Sequence, residues 1–530
     1  MAGVVNISGE INGGEGDLHK IQNNAQANPN VQVPAGSFKV SVAILHHGKP
    51  GNEYPIGQFL QRIYIFEDIE KMGITGWIEM IDPYNLVRNG IILGQELLYL
   101  EFVTGGADGA GIEDDWKVSF TKKNPLYVHK IQDLKHQQTG EAETQGTLTY
   151  RLHFCSPELI QNDRVRVSRT LQGTYSDMIK NILENDLKTP KKFEVDENFK
   201  ETEDLKLINV PNLNPFSAIA LMAAASQSTP SEKQFKGRQT DYYFWETSRG
   251  YRLFPIYRPH VDNIFFRVSG SPATSSYVGD MTTAISQRYS FYGDTYSSIK
   301  AGSWGSKQIL YDNTTKSYDL FQSNYHTSLD KEKYEEVSQT PVFFPNGKEE
   351  RNVYGDPKTI SDYPDGKLMF VGWNSNRLTN INKDTNESTH PWVRVPSDIA
   401  MQRSIQTSQT MAHQLMMMRV HGISRLEAGM TIHLDHPDIG QGSGTVSKAK
   451  PSDAVWENRQ NNIWLIKKLT HAIDLRENSM KYYCDLELSN TFRSTAKTLP
   501  KYPGLGSQAK LRETPSSPTI TKYPTKVSFT

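Results

Sequence analysis

Arg164-Val165-Arg166-Val167-Ser168-Arg169 alternates charged or polar side chains with valine, and Gly173-Thr174-Tyr175-Ser176-Asp177-Met178-Ile179 follows within a few residues. The period-two stretch predicts a strand, Gly173 a turn, and the residues after it the start of an amphipathic helix. Ser176 is the expected N-cap, and Asp177 suits the positive end of the helix dipole. Met178, Ile179, Ile182 and Leu183 then share one helical face. Just upstream, Tyr150-Arg151-Leu152-His153-Phe154-Cys155 alternates in the same way. The chain therefore passes here from a β-rich region into a mixed one.

Working back from this boundary, period-two patterning starts at Phe38, where Val40, Val42 and Ile44 alternate with Lys39, Ser41 and Ala43. It recurs in 59–66, 74–81, 96–104, 116–121, 126–134 and 147–155. Leu98, Leu100 and Phe102 share one face of their run, with Tyr99 and Glu101 on the other. Turn residues separate the runs at 48–57, Asn89-Gly90, 105–111 and Thr139-Gly140. About seven short strands without intervening helices predict an antiparallel barrel or sandwich. Residues 1–36 contain no Phe, Trp or Tyr and read as a flexible arm without a core of its own.

Working forward, Asn214 as cap and Pro215 in the first turn predict a second helix through Phe216, Ile219 and Ala223. Met222 through Ala225 leave room for another element to approach. A strand pair, 242–247 and 251–255, follows across Ser248-Arg249-Gly250. Residues 326–400 are rich in Asp, Asn, Pro, Lys and Ser and read as an insertion or surface excursion. Strands return at 415–421, 430–434, 462–470 and 480–489; in the last, Tyr482, Cys484, Leu486 and Leu488 share one face. The tail 496–530 carries five prolines and reads as extended. The expected fold class is mainly β with α+β: two antiparallel β-barrel domains bracketing an α+β middle. The domains are an arm (1–36), a first barrel (37–157), an α+β domain (158–275) and a β segment of the middle or the second barrel (276–325). The excursion (326–400), second barrel (401–495) and tail (496–530) complete them.

Composition excludes several function classes. With 58 basic against 59 acidic residues there is no electrostatic case for tight, non-specific nucleic-acid binding. Two cysteines, Cys155 and Cys484, argue against a disulfide scaffold and suit a reducing compartment. The N-terminus lacks the charged and apolar regions of a secretory signal. The most apolar run, 219–225, falls far short of the ~20 residues of a membrane span, so no membrane insertion is expected.

Candidate chemistry is sparse. Phosphate-loop and dinucleotide glycine patterns do not occur, and Gly105, Gly106, Gly109 and Gly111, like Gly440, Gly442 and Gly444, read as turns. His433, Asp435 and His436, with His421 and His471 on neighbouring strands, would bind zinc or iron only if three converged. Their placement at strand ends favours solvated polar residues, and His46-His47 is weaker still. Glu79, Glu101, Asp485 and Glu487 are expected on solvent-side faces, with no pair isolated for glycoside cleavage. The cysteines read as inert core thiols. Catalytic, cofactor-binding and metal residues are therefore none, and the chain is not expected to be an enzyme. Arg164 and Arg166 on one strand face, with Arg169, read as a solvated or interface cluster, since no aromatic platform interleaves with them. Met416, Met417 and Met418 span both strand faces and read as packing or a subunit contact.

Several passages in order resemble the baseplate hub proteins of contractile-tailed phages, a family related to the hub portion of type VI secretion spike proteins. They are Tyr150-x-Leu152-x-Phe154-Cys155-Ser156-Pro157-Glu158 with Asn162-x-Arg164-Val165-Arg166-Val167-Ser168-Arg169, and Ser176-Asp177-Met178-Ile179-Lys180-x-Ile182-Leu183. Pro215-Phe216-x-Ala218-Ile219 and Phe244-Trp245-Glu246-Thr247-x-x-Gly250-Tyr251 follow. Then come Gly302-x-Trp304 with Tyr311-Asp312, and Gly422-x-x-x-Leu426-x-Ala428-Gly429-Met430 with Leu465-Ile466 and His471. The likeness covers roughly 38–325 and 400–492; the arm, excursion and tail depart from it. It implies a homotrimer with two tube-like barrels per subunit, adapting a sixfold tail tube to a threefold central spike. It also implies contacts to the tube or tube initiator protein, the spike, and tape measure and wedge proteins. DNA would be only a transient passenger through the channel, and the location a virion baseplate assembled in the host cytoplasm. The alternatives are the equivalent hub of a cellular contractile injection or secretion device, a tail-associated cell-wall-degrading enzyme, and a sugar-binding adhesin.

Overall fold

The structure, a computed structural model, describes residues 8–9, 38–47, 53–104, 117–137, 147–195, 205–226, 242–256, 266–269, 284–292, 295–302, 305–312, 316–324, 367–373, 378–381, 388–389, 414–435, 463–476 and 481–490. The strands before the boundary are β1 (Ser8–Gly9), β2 (Phe38–His46), β3 (Glu53–Pro55), β4 (Leu60–Asp68), β5 (Thr75–Asp82), β6 (Leu97–Thr104), β7 (Lys117–Phe120), β8 (Leu126–Gln137) and β9 (Thr147–Cys155). The mixed region holds α1 (Pro157–Arg164), β10 (Thr170–Gly173), α2 (Tyr175–Asn185), β11 (Phe193–Val195), β12 (Leu205–Asn209), α3 (Pro215–Ala225), β13 (Tyr242–Thr247), β14 (Gly250–Pro255) and β15 (Phe266–Ser269). After it come β16 (Ala284–Tyr292), α4 (Thr295–Ala301), β17 (Gly305–Asp312), β18 (Ser317–Asn324), β19 (Leu368–Trp373), β20 (Leu378–Ile381) and β21 (Ser388–Thr389). The last four are β22 (Gln414–His421), β23 (Thr431–Asp435), β24 (Ile463–Asp474) and β25 (Lys481–Asn490). The protein is mainly β, as the strand patterning predicts.

Fifteen strands form one sheet in the order β1-β2-β6-β8-β9-β5-β4-β24-β25-β22-β16, with β3 on β2, β7 on β6, β23 on β24 and β15 on β23. Its ladders are antiparallel except β15 with β23. The joint between the early and late strands is the β4–β24 ladder, running from Lys468 opposite Asp68 to Asp474 opposite Arg62. One apolar core serves both strand sets: Phe38 and Phe102 pack edge-on against Tyr482, their ring centroids 5.9 and 5.7 Å away. Leu98, Leu100 and Phe102 are buried together, and so are Tyr482, Cys484, Leu486 and Leu488, as their alternation requires.

The boundary stretch is the main correction. Arg164 is the last residue of α1, Val167 makes a single bridge to Leu213, and the ladder strand starts only at Thr170. The cause lies seven residues upstream of the alternation: Pro157 at the first helical position and Glu158 in the first turn start a helix that runs into the arginines. Arg164 and Arg166 therefore share no strand face. The cap of α2 is Thr174 rather than Ser176: Thr174 Oγ1 accepts from the Asp177 amide at 3.2 Å and donates to the Asp177 carboxylate at 2.7 Å. Asn214 holds the N-cap position of α3, but Asn162 Oδ1 takes the orphan Phe216 amide at 2.8 Å. Met178, Ile179, Ile182 and Leu183 pack with Phe216, Ile219, Met222 and Ala223 in a second core. From the excursion, β19 pairs with β17 and β20 with β12. β21 pairs with β20, and the rest of 326–400 apart from Lys367, like the tail 496–530 and the arm apart from Ser8 and Gly9, lies outside the described residues.

Candidate functional site

The densest polar chemistry lies where the tip of the β13–β14 hairpin meets the β4–β5 turn and the segment between β22 and β23. Alternation turns Glu67 inward near the end of β4, where it is 1% exposed. Its Oε1 accepts from the Ser248 amide at 2.8 Å and its Oε2 from the Ala428 amide at 3.0 Å. Burial pushes its carboxyl up to about 6, against those two amides and the nearby Arg249 and Arg252. Arg249 ion-pairs with the buried Glu427, which Arg252 also reaches at 2.5 Å. Trp245 donates its indole N–H to the Ala428 carbonyl at 3.0 Å. Gly429, at φ +87°, lies under the same ring, and a Cβ there would fall 2.2 Å from Trp245. Ile69, Trp245, Phe254, Ile256, Ala428 and Leu465 form the dry centre of this junction.

A second charged cluster flanks it. The Lys191 side chain, 3% exposed, reaches Glu158 Oε2 at 2.5 Å and Glu246 Oε1 at 2.6 Å. Thr189 donates to the other Glu158 oxygen at 2.6 Å, and the Ile74 amide donates to the other Glu246 oxygen at 3.0 Å. Burial works against the Lys191 charge, but Glu246 and Glu158 outweigh it and hold the ammonium above its ordinary range. Burial pushes Glu246 up despite Lys191. Both charged clusters tie the hairpin to the large sheet, so the junction is a clasp made from opposite charges.

The outward face of the same sheet is also self-neutralised. Tyr64 stacks on Trp77 with centroids 4.2 Å apart, and the Arg151 guanidinium lies 4.7 Å over the Trp77 ring. Glu79 is held by Arg62 at 3.2 Å and approached by Arg151 at 3.9 Å, while Asp485 takes Arg419 at 2.6 and 2.8 Å. Lys468 reaches Glu487 at 3.0 Å. Burial disfavours the Glu101 charge, yet Lys117, Ser41 and Ser119 hold its carboxyl below the usual range. Each of the four carboxylates weighed for glycoside cleavage therefore faces a cation rather than another carboxylate across a cleft.

Among the described residues no three His, Cys, Asp or Glu side chains group to hold a metal. His471 is fully buried, with Nδ1 2.7 Å from the Tyr482 hydroxyl, and burial drops its pKa to about 3. His421 lies opposite Tyr483 and His471 opposite Cys484, so the two histidines fall on opposite sheet faces. His436 and the side chains of His433 and Asp435 lie outside the described residues. Burial pushes the Cys155 thiol up to about 11 and Cys484 to about 12. Of the interface candidates, Met416 and Met418 belong to the core and Met417 is exposed. Arg169 is held within the subunit by Asp186 at 2.6 and 2.7 Å and Asn181 at 2.8 Å; Arg164 and Arg166 are exposed.

No family model matches the chain, and no curated protein matches its sequence. Solved structures do resemble it. The 43 kDa tail protein of prophage MuSo2 from Shewanella oneidensis is 11% identical, with TM-score 0.41 over 84% of this chain and 97% of that one. A tail protein from Neisseria meningitidis MC58 is 8% identical, with TM-score 0.42 over 87% and 97%. An E. coli component of the type VI secretion system, described as structurally similar to T4 bacteriophage tail proteins, is 9% identical, with TM-score 0.34 over 86% and 77%. All three are tail or secretion proteins.

Nothing in the local sequence marks Glu67, Lys191 or Glu427, and Glu246 and Arg249 stand out only as members of a longer passage and a turn. The available signal was a charged residue inside an apolar alternation, as at Glu246 within Tyr243-Phe244-Trp245-Glu246-Thr247.

Proposed function

We propose that this chain is the central hub of a contractile tail baseplate, a homotrimer that adapts a sixfold tube to a threefold central spike. Its two strand sets act as tube-like barrels, one face meets the tail tube or tube initiator, and the opposite face takes the spike. Tape measure and wedge proteins contact its periphery, and DNA passes through its channel at ejection. The observation that carries the reading is the order of the quoted passages, from Tyr150 to His471, along one chain. The clasp supports it in physical terms: its buried charges are bound to one another, which suits a part that transmits force. Near-neutral net charge suits a conduit that does not retain a polyanion. Immunogold labelling of intact particles tests the reading. A hub places label at the end of the tail tube, whereas label along the fibres or absent from particles overturns it.

A further inference from the structure

Three strands form a small sheet outside the large one, in the order β18-β17-β19. Its two faces are reversed relative to an ordinary surface sheet. Ser306 and Gln308 on β17 are buried, while the residues alternating with them point to solvent. On that outward face Tyr311 lies opposite Tyr318, and Ile309 lies opposite both Leu320 and Phe370. Leu368 sits beside Phe370 on β19, opposite Lys307. Tyr318 and Phe370 are each 73% exposed, Leu320 53%, Leu368 48% and Tyr311 45%. By register, Lys307 is the one charged residue on the face among the described residues.

At 150–250 Å² for a large side chain, these exposures amount to roughly 500 Å² of contiguous apolar surface, near the top of the range found on monomers. Three such patches gathered on a threefold axis, each against the other two, would bury roughly 1,500 Å² in all, the size of a standard specific protein interface. A face with a single cation does not strongly repel its own copy, and Tyr, Phe and Leu suit the dry centre of an interface. β17 and β18 lie within the stretches that resemble known hubs, Tyr311 in one of the quoted passages, and β19 from the excursion completes the patch. We propose that the outward face of β17, β18 and β19 is a contact between copies of this chain, its occupant being a second copy. The proposal rests on the homotrimer reading and assigns it a surface.

Sedimentation velocity on the full chain tests it, comparing wild type with a Tyr318→Ser/Phe370→Ser double variant. Both side chains are exposed in the subunit, so the far-ultraviolet circular dichroism spectrum is expected to stay that of the wild type. Truncating two anchors at the centre of the contact is expected to weaken association about a hundredfold or more. An unchanged oligomer overturns the inference and leaves the hub reading standing. A wild type that is monomeric at every concentration overturns the homotrimer reading itself. A Phe370→Cys variant keeps the test decisive if the double variant does not fold, because the native thiols Cys155 and Cys484 are buried. Oxidation is then expected to give a covalent dimer, and failure to cross-link while the protein is oligomeric overturns the inference.

Discussion

Lys191→Met removes the cation from between Glu158 and Glu246 while roughly keeping the volume. The wild-type ammonium makes contacts of 2.5 and 2.6 Å to carboxylates whose side chains are 6% and 0% exposed. Neither carboxylate can recover its hydration without opening the junction. Breaking a buried ion pair from one side costs about 3–5 kcal/mol, and two carboxylates left together place this site at the upper end. The loss falls first on the clasp, because Glu246 also holds the Ile74 amide of the β4–β5 turn. Hydrogen exchange of peptides spanning Ile74 and β13 is the assay, and the expected result is protection falling by a factor of about a hundred or more, with β9 little changed. Adding Glu158→Gln and Glu246→Gln to Lys191→Met is expected to restore most of the protection, since a neutral site needs no counter-charge. A loss below about 1 kcal/mol in the single variant, or no rescue in the triple, would refute the reasoning, because such values belong to surface pairs.

Gly429→Ala is expected to destabilise by about 2–4 kcal/mol, combining a left-handed backbone with a Cβ driven into Trp245; an early shift in tryptophan emission on denaturation would report it. His471 is neutral in the fold with a pKa of about 3, against an ordinary 6.5. The unfolded chain therefore takes up the proton first, and from pH 7 to pH 5 this group lowers stability by roughly 2 kcal/mol. Glu67, raised from 4.5 to about 6, acts in the opposite sense and adds roughly 1 kcal/mol over the same interval. Glu67→Gln is thus expected to steepen the acid loss in denaturant melts and His471→Gln to flatten it; the reverse order contradicts both assignments. Cys155 and Cys484 are expected to resist thiol reagents in the native protein and to react fully in denaturant.

Local periodicity carried the core strands and the buried face of α2, because alternation and the helical stripe are imposed by burial within each element. It misplaced the start of the mixed region, where valine–arginine alternation at 164–169 competes with a proline-initiated helix. The proline decides, since its fixed φ and missing N–H fit the first helical turn. Thr174 and Ser176 are equally good caps in composition, and only the reciprocal bond to Asp177 separates them. The β4–β24 ladder was beyond local reading, because nothing in either strand names a partner so distant in sequence. The clasp escaped for the same reason: Lys191 sits in a loop, and its two carboxylates come from α1 and β13. The burial of Cys484 was legible, since it stands with Tyr482 and Leu486 on the apolar side of its strand, whereas Cys155 shares the side of Arg151 and His153 and is buried at the end of its strand.

The central claim is that this chain is a threefold part that seats a spike. Native mass spectrometry of the purified chain mixed with its cognate spike protein tests it most directly. The expected result is a single complex containing three copies of the chain on one spike trimer. A stable monomer that leaves the spike unbound would contradict it.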